Sequence, residues 1–328
     1  MIIDRFGRQV TYLRVSVTDR CNFRCVYCMP AEGIQRKDHT QMLRYEEIAE
    51  IVRVAAGEGV REVRLTGGEP LVRRDLPLLV RMIAAIPGIE DLSLTTNGLL
   101  LDRMAAELAA AGLTRLNVSL DTLNPQRFQR ITRGGDLERV LDGLAAATEA
   151  GLDPVKINMV VMRGVNDDEI EAMARLTLSR PWQVRFIELM PLSNQAPWGE
   201  GFPAPETMFF SVQEMLEQLA RLGLRATGEK VGSGPAREYR LDGALGAIGF
   251  ISPLGQSFCA DCNRLRLTAD GHLRPCLMSD VEVPLLSALR SGQPLLPLLR
   301  QAAQIKPEGH HLDQLPAPGG RCMSQIGG

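Results

Sequence analysis

Short runs of β-branched and aliphatic residues alternate along this chain with longer stretches whose apolar positions recur every three or four residues. The short runs predict strands over 12–17, 62–66, 91–95, 115–120, 154–161 and 183–189. The longer stretches predict helices over 44–58, 76–86, 102–111, 137–150 and 168–178. Gly59, Gly112 and Gly151 follow three of these helices, where glycine stops a helix at least cost. Such alternation is the pattern of successive βα units around a parallel sheet. The stretch 191–205, rich in Pro, Gly and polar residues, breaks it and reads as a linker or lid. A smaller region follows, with a helix over 212–222, strands over 246–251 and 263–268, a turn at Asp270-Gly271 and a helix over 294–304. The predicted division is therefore 1–200 and 201–328. The last residues, Ser324 to Gly328, would by default be a frayed tail.

Composition adds limits. With 328 residues, 45% hydrophobic and 23% charged, the chain has ordinary globular content and enough length for a substantial core. A net charge of −2 argues against general attraction to nucleic acid or anionic membrane and leaves room for a local basic site that takes a phosphorylated small molecule. The first residues lack a basic segment followed by an apolar one, and the apolar runs are too short to span a bilayer, so a cytoplasmic chain is expected. Seven cysteines, six in two tight groups and one alone, suit two metal sites and a reducing compartment better than a disulfide framework.

Cys21, Cys25 and Cys28 form a C-x3-C-x2-C loop directly after the first predicted strand. Three thiolates on a four-iron cluster leave one iron open to a cofactor or substrate. A structural zinc would want a fourth ligand, and His39 is the only local histidine. Cys259, Cys262 and Cys276 make a second set of three, for which His272 is the competing fourth ligand. On the predicted strands, Arg64 and Lys156 would be costly to bury without an anion, whereas Arg264 and Arg266 alternate on a short strand and could equally face water.

The C-x3-C-x2-C loop with Tyr27 inside it resembles the signature of radical S-adenosylmethionine (SAM) enzymes. Gly67-Gly68-Glu69-Pro70, after the second strand, resembles that family's SAM-binding segment. Physically, the glycines would free backbone amides and Glu69 would offer a carboxylate to the ammonium of SAM. Taken with the second cysteine set, the chain resembles the GTP 3',8-cyclase family of molybdenum cofactor biosynthesis, the MoaA type. The matching segments are Thr18-Asp19-Arg20, Met29-Pro30, Arg64 to Pro70, Thr95-Thr96-Asn97-Gly98, Asn117 to Asp121, Arg185 to Pro191, Cys262 to Thr268, Leu273 to Leu277 and Gly327-Gly328.

The resemblance implies an α/β fold, an open (partial) TIM-type barrel of about six βα units, with a smaller C-terminal α+β region that carries a second 4Fe-4S cluster. It implies SAM and two 4Fe-4S clusters as cofactors, held by Cys21, Cys25 and Cys28 and by Cys259, Cys262 and Cys276. It places SAM on Tyr27, Gly68, Ser119 and Met190, and GTP on Arg14, Arg64, Thr95, Lys156, Arg264, Leu265 and Arg266. The implied reaction is abstraction of the ribose 3' hydrogen of GTP by a 5'-deoxyadenosyl radical, then cyclisation onto guanine C8; no catalytic side chain is assigned beyond the clusters. Gly327-Gly328 would reach into the active site. The implied partners are an external electron donor, a downstream cyclic pyranopterin monophosphate synthase (MoaC type) that receives the product, and a second copy of the chain. His39, His310, His311 and Cys322 receive no role. Glu62 departs from the family, where many members carry lysine; either it points away or Arg61, Arg73 or Arg74 supplies the missing charge. The rivals are a peptide-modifying radical SAM maturase with an auxiliary cluster and a zinc-stabilised or ferredoxin-like module without enzymatic activity.

Overall fold

The computed structural model describes residues 1–35, 37–191, 198–228, 234–255, 257–310 and 320–327. Its first part is six βα units in order. They are β1 (Tyr12–Ser16) with α1 (Tyr45–Gly57), β2 (Glu62–Thr66) with α2 (Leu76–Ala84), and β3 (Asp91–Thr96) with α3 (Leu101–Ala110). Next come β4 (Arg115–Ser119) with α4 (Pro125–Thr132) and α5 (Leu137–Glu149), β5 (Val155–Val161) with α6 (Ile170–Ser179), and β6 (Gln183–Glu188) with α7 (Val212–Leu219). The six strands and five helices predicted from periodicity are all present, with ends shifted by one or two residues. The sequence reading missed α4, whose apolar face is only Phe128 and Ile131; Asn124 caps it by accepting a hydrogen bond from the Arg127 amide.

The C-terminal region does not build a separate sheet. It adds β7 (Arg225–Ala226), β8 (Arg237–Arg240), β9 (Ala247–Ile251), β10 (Arg264–Leu267), β11 (His272–Arg274) and β12 (Val283–Pro284), followed by α8 (Leu286–Arg290), α9 (Leu296–Gln304) and α10 (Met323–Ile326). β9 pairs parallel with β6, and β10 pairs parallel with β1. The strand order is β12-β11-β10-β1-β2-β3-β4-β5-β6-β9-β8-β7, so the C-terminal strands extend both edges of the six-stranded sheet. The predicted partial barrel is thus observed, with a C-terminal strand against each side.

Strand alternation then decides what the barrel contains. Leu13, Val15, Val63, Leu65, Leu92, Leu94, Leu116 and Val118 are buried in one core with apolar residues of α1, α2, α3 and α5. The alternate positions, in register across the sheet, are polar: Arg266 neighbours Arg14, Arg14 neighbours Arg64, and Arg64 neighbours Ser93. On the far side Asn117 neighbours Lys156 and Asn158 neighbours Arg185. Apolar side chains commonly fill such a barrel. Here the concave face is lined with charge, which makes it a binding surface.

Candidate functional site

The first cysteine loop leaves β1 at its C-terminal end and is braced from three neighbouring strands. Glu69, 1% exposed, accepts hydrogen bonds from the Leu71 amide (3.0 Å), Thr96 Oγ1 (2.7 Å) and the Asn97 amide (2.7 Å). Burial pushes its carboxyl up to about 7 against those bonds. Asn97 in turn donates from Nδ2 to Asn22 Oδ1 at 2.7 Å. Asp121 accepts from Tyr27 Oη (2.7 Å) and from the Val160 amide (2.9 Å), and burial raises it to about 6. Gly68 donates its amide to Thr18 O at 2.7 Å, and a Cβ at Gly68 would overlap the Arg20 carbonyl.

Glu69 thus braces the loop with three accepted hydrogen bonds, and the glycines allow close backbone packing beside Cys21, with the Gly68 amide bonded to Thr18 O. Val26 packs with Ile131, Met162, Trp198 and Met208 in a second apolar cluster, and Trp198 lies 6.4 Å from the Tyr27 ring, so the described end of the 191–205 stretch covers this loop. Burial pushes the Cys21 thiol up to about 11, Cys25 well above its usual range and Cys28 to about 12. The Cys21 and Cys28 thiols add to the burial effect at Cys25. Three mutually close thiols in a dry loop suit a cationic inorganic centre that replaces their protons.

Beneath this loop the barrel gathers cations. Arg14, Arg64, Lys156, Arg185 and Arg266 are each at most 9% exposed. Arg64 donates from Nε to Ser93 Oγ (3.0 Å), and Arg185 donates to Gln183 Oε1 (3.1 Å) and Asn117 Oδ1 (3.3 Å). Burial lowers Arg14 to about 10, Arg185 to about 9 and Lys156 to about 6, with neighbouring arginines adding to all three. Arg266 falls well below its usual range for the same first reason. Thr95 Oγ1 is buried in the same region without a hydrogen-bond partner. The hydrogen bonds of Arg64 and Arg185 named here go to neutral groups, which leaves their charge available to an incoming polyanion.

The tail enters the same space. Arg266 donates from Nη1 to the Gly327 carbonyl at 2.7 Å, and a Cβ on Gly327 would meet Thr66 Cγ2 at 2.7 Å and Ser16 Cβ at 3.2 Å. Ser324 and Ile326 are buried, so the expected fraying is not seen over 323–327; Gly328 lies outside the described residues, as does His311. Arg321 fixes this approach, donating to Glu282 Oε1 (2.6 Å) and Oε2 (2.8 Å) and to Asp270 Oδ1 (3.1 Å) and Oδ2 (3.0 Å). Cys322 forms no disulfide, and its proximity adds to the raised value of Cys28, so the spare thiol lies near the first loop.

The second cysteine set borders a cavity of about 420 Å³ whose lining includes Glu238, Tyr239, Phe258, Asp261, Asn263 and Arg264. Arg264 stacks over Phe258 at 4.8 Å. Glu188, 1% exposed, accepts from Ser252 Oγ (2.9 Å) and from the Leu254 and Gly255 amides (3.2 Å each), which anchors the segment leading to Cys259. Lys306 donates to Cys262 Sγ at 3.3 Å. Burial opposes ionisation of Cys262, yet Arg264 and Lys306 bring its thiol down to about 6. His272 faces Asp270 (3.4 Å) and Arg321 (3.5 Å) through Nδ1. Among the described residues no three His, Cys, Asp or Glu side chains converge as the shell of one ion. A four-iron cluster asks for a different arrangement, one thiolate on each of three irons. A cavity of about 940 Å³ lies beside Thr18 to Arg20 and α1, away from the polar strand faces.

Comparison with known proteins places this arrangement. Residues 15–177 match the radical SAM superfamily and residues 182–312 match Molybdenum Cofactor Synthesis C. The chain is 50% identical to the GTP 3',8-cyclase of Heliobacterium modesticaldum, covering 100% of both chains, and 49% identical to that of Moorella thermoacetica, covering 99% of both. The chain belongs to the GTP 3',8-cyclase family. Among solved structures, Streptococcus suis SuiB bound to its precursor peptide SuiA aligns with a TM-score of 0.62 at 14% identity, over 86% of this chain and 65% of that one. AdoMet-bound anSMEcpe aligns with a TM-score of 0.57 at 15% identity, over 88% and 79%. These likenesses show the shared fold alone.

As a member of that family, the chain gathers most of the residues picked from sequence. Arg14, Arg64, Thr95, Lys156 and Arg266 line the concave face, with Arg264 half-buried at its edge. Tyr27, Gly68, Ser119 and Met190 lie at the C-terminal ends of β1, β2, β4 and β6 or just beyond. Leu265 is an exception in kind: its side chain is buried in the outer core, so only its backbone is left to face nucleotide. Arg185 was missed, although its alternation with Val184 and Phe186 carried the signal. Glu62 lies within 3.6 Å of Arg115, Arg61 pairs with Glu90, and Arg73 binds the Val17 and Leu43 carbonyls. Arg74 lines the outer cavity, so Arg61, Arg73 and Arg74 all stay out of the barrel, and Arg185 is the extra cation there.

Proposed function

We propose that this chain catalyses the 3',8-cyclisation of GTP, the first step of molybdenum cofactor biosynthesis, with SAM and two 4Fe-4S clusters. The observation that carries the reading is the concave face of five buried basic side chains between two three-cysteine sites, in a chain 50% identical to a GTP 3',8-cyclase. Residues 1–200 supply the first cluster site and the barrel, and 201–328 supply the second site and the tail.

When bound, the first cluster with SAM would supply radical chemistry for hydrogen abstraction at the ribose 3' carbon, and the second would supply an iron site for the substrate. The remaining work belongs to side chains. Cys21, Cys25 and Cys28 hold the first cluster, and Cys259, Cys262 and Cys276 the second. Tyr27, Gly68, Ser119 and Met190 seat SAM. Arg14, Arg64, Lys156, Arg185 and Arg266 bind the triphosphate, Thr95 Oγ1 gains the partner it lacks, and Arg264 with the Leu265 backbone borders the nucleotide. Orientation is the main contribution, because fixing the ribose beside the radical source replaces a bimolecular encounter. Trp198 and the apolar residues around Val26 keep water from the first loop.

The same reading entails an external one-electron donor, delivery of product to a cyclic pyranopterin monophosphate synthase, and a homodimer, each beyond what family membership settles. Cytoplasmic placement goes with it; among the described residues no helix is long and apolar enough to cross a membrane. The decisive experiment is anaerobic incubation with SAM, dithionite and GTP deuterated at the ribose 3' carbon. Deuterium is expected in 5'-deoxyadenosine, together with a cyclised dihydro-GTP product. Deoxyadenosine formed without deuterium would overturn the assignment.

A further inference from the structure

The segment just after α9 touches the surroundings of all three cysteines in the second set. Lys306, 2% exposed, donates from Nζ to Cys262 Sγ (3.3 Å), to the Arg264 carbonyl (2.9 Å) and to the Pro275 carbonyl (2.8 Å). One ammonium therefore joins the Cys262 side of the site to the backbone just before Cys276. The two residues that follow Lys306 reach the third cysteine through Arg8. Its guanidinium donates from Nη1 to the Cys259 carbonyl (2.6 Å) and the Glu308 carbonyl (3.0 Å), and from Nη2 to the Pro307 carbonyl (2.6 Å). Asp4 holds Arg8 in place at 2.6 Å. Cys262 and Cys276, with thirteen residues between them, are thus positioned by a third segment about thirty residues further on.

A lysine is an expensive choice for this task. Burying an ammonium costs several kcal/mol unless charge and hydrogen bonds compensate. Two carbonyls and a sulfur accept hydrogen bonds from its three N–H groups, and the sulfur is the only one of these that gains a negative charge. The arrangement becomes favourable when Cys262 is a thiolate bound in an anionic centre, where a donor to sulfur also lowers the electron density on the metal.

We propose that Lys306 is the positioning residue of the second cysteine site: it clamps the Cys262 and Cys276 segments together and, by donating to the Cys262 sulfur, stabilises the reduced state of the cluster held there. The proposal rests on the two-cluster reading above. Arg8 extends the clamp to Cys259.

The test uses anaerobically reconstituted full-length protein, with iron per chain and an electron paramagnetic resonance redox titration as readouts beside activity. Wild type is expected to hold two clusters with distinguishable midpoints; a single cluster would overturn the two-cluster reading itself. In Lys306→Met the first cluster should still cleave SAM with dithionite. Its second cluster should be harder to reduce, with the reduced-to-oxidised ratio at fixed potential falling by about tenfold, the size of one charge-assisted hydrogen bond. Lys306→Arg should restore most of that shift. Selective loss of second-cluster iron in Lys306→Met, recovered in Lys306→Arg, would equally support the clamp. Full iron with an unchanged midpoint in Lys306→Met would overturn the proposal, and so would iron loss that Lys306→Arg fails to recover.

Discussion

Lys156 shows how one side chain couples binding to pH. Burial first, then Arg185, Arg115 and Arg64, bring its ammonium down to about 6, so without an anion it is mostly neutral at pH 7. A triphosphate favours the charged form and raises that value. Binding therefore takes up a proton between the free and bound values, and affinity falls as pH rises above about 6 by up to about tenfold per unit. Calorimetry in buffers of different ionisation enthalpy should detect this uptake in wild type and lose it in Lys156→Met, whose affinity should become nearly flat with pH over that range. Burial also implies that the free protein is stabilised by the same substitution near neutral pH. The folded-state value lies below the unfolded one, so stability from this group rises with pH from about 6 to 10.5 and is deficient below. Other residues changed their meaning once their neighbours were known. Glu69, Asp121 and Glu188 sit in recognisable motifs, yet each spends its carboxylate on backbone amides or hydroxyls that hold a loop.

At the level of elements, glycine marks where backbones must touch. Gly68→Ala would drive a methyl into the Arg20 carbonyl and displace the loop leading to Cys21. The variant should retain second-cluster iron, lose first-cluster iron and lose SAM cleavage, which iron analysis and deoxyadenosine assays read directly. Gly143 in α5 is tight for a different reason, since its added Cβ would lie 2.7 Å from the Gly98 carbonyl and 3.0 Å from Leu101 Cβ. Gly143→Ala should cost about 1–3 kcal/mol in denaturant unfolding while leaving both clusters intact. The elements themselves were largely legible, because six strands and their helices each carry a long enough periodic signal. What escaped were short pieces: α4, with two large apolar residues on its buried face, α8 and α10, of five and four residues, and β7, β8, β11 and β12, two to four residues each. Strands this short gain their place from pairing rather than from their own pattern: β8 pairs with β9 and β11 with β10, and β7 and β12 pair in turn with β8 and β11.

Across the whole molecule, the tail joins distant parts. Arg321 spans Asp270 and Glu282, α10 packs beside the first cysteine loop, and the Gly327 carbonyl meets Arg266. Arg321 is 13% exposed at its side chain, so breaking its paired contacts should cost about 3 kcal/mol or more of tail docking. Arg321→Ala should therefore speed carboxypeptidase removal of the C-terminal residues by at least about tenfold. It should also weaken GTP binding more than SAM cleavage, and Arg321→Lys should fall between. The C-terminal part also decides the shape of the site, because β9 and β10 flank the six strands and β10 brings Arg266 level with Arg14 and Arg264 level with Tyr12.

The sequence by itself determined the cofactor chemistry and the order of elements. Cysteine spacing and hydrophobic period are local properties, fixed by a few bonds or a few turns of chain. Only the tertiary structure decided which polar residues face the substrate and which brace the loops. That distinction depends on strand register and on contacts between residues far apart in sequence. Arg185 entered the site for that reason, Glu69 came to brace the first cysteine loop, and Lys306 came to lie against Cys262.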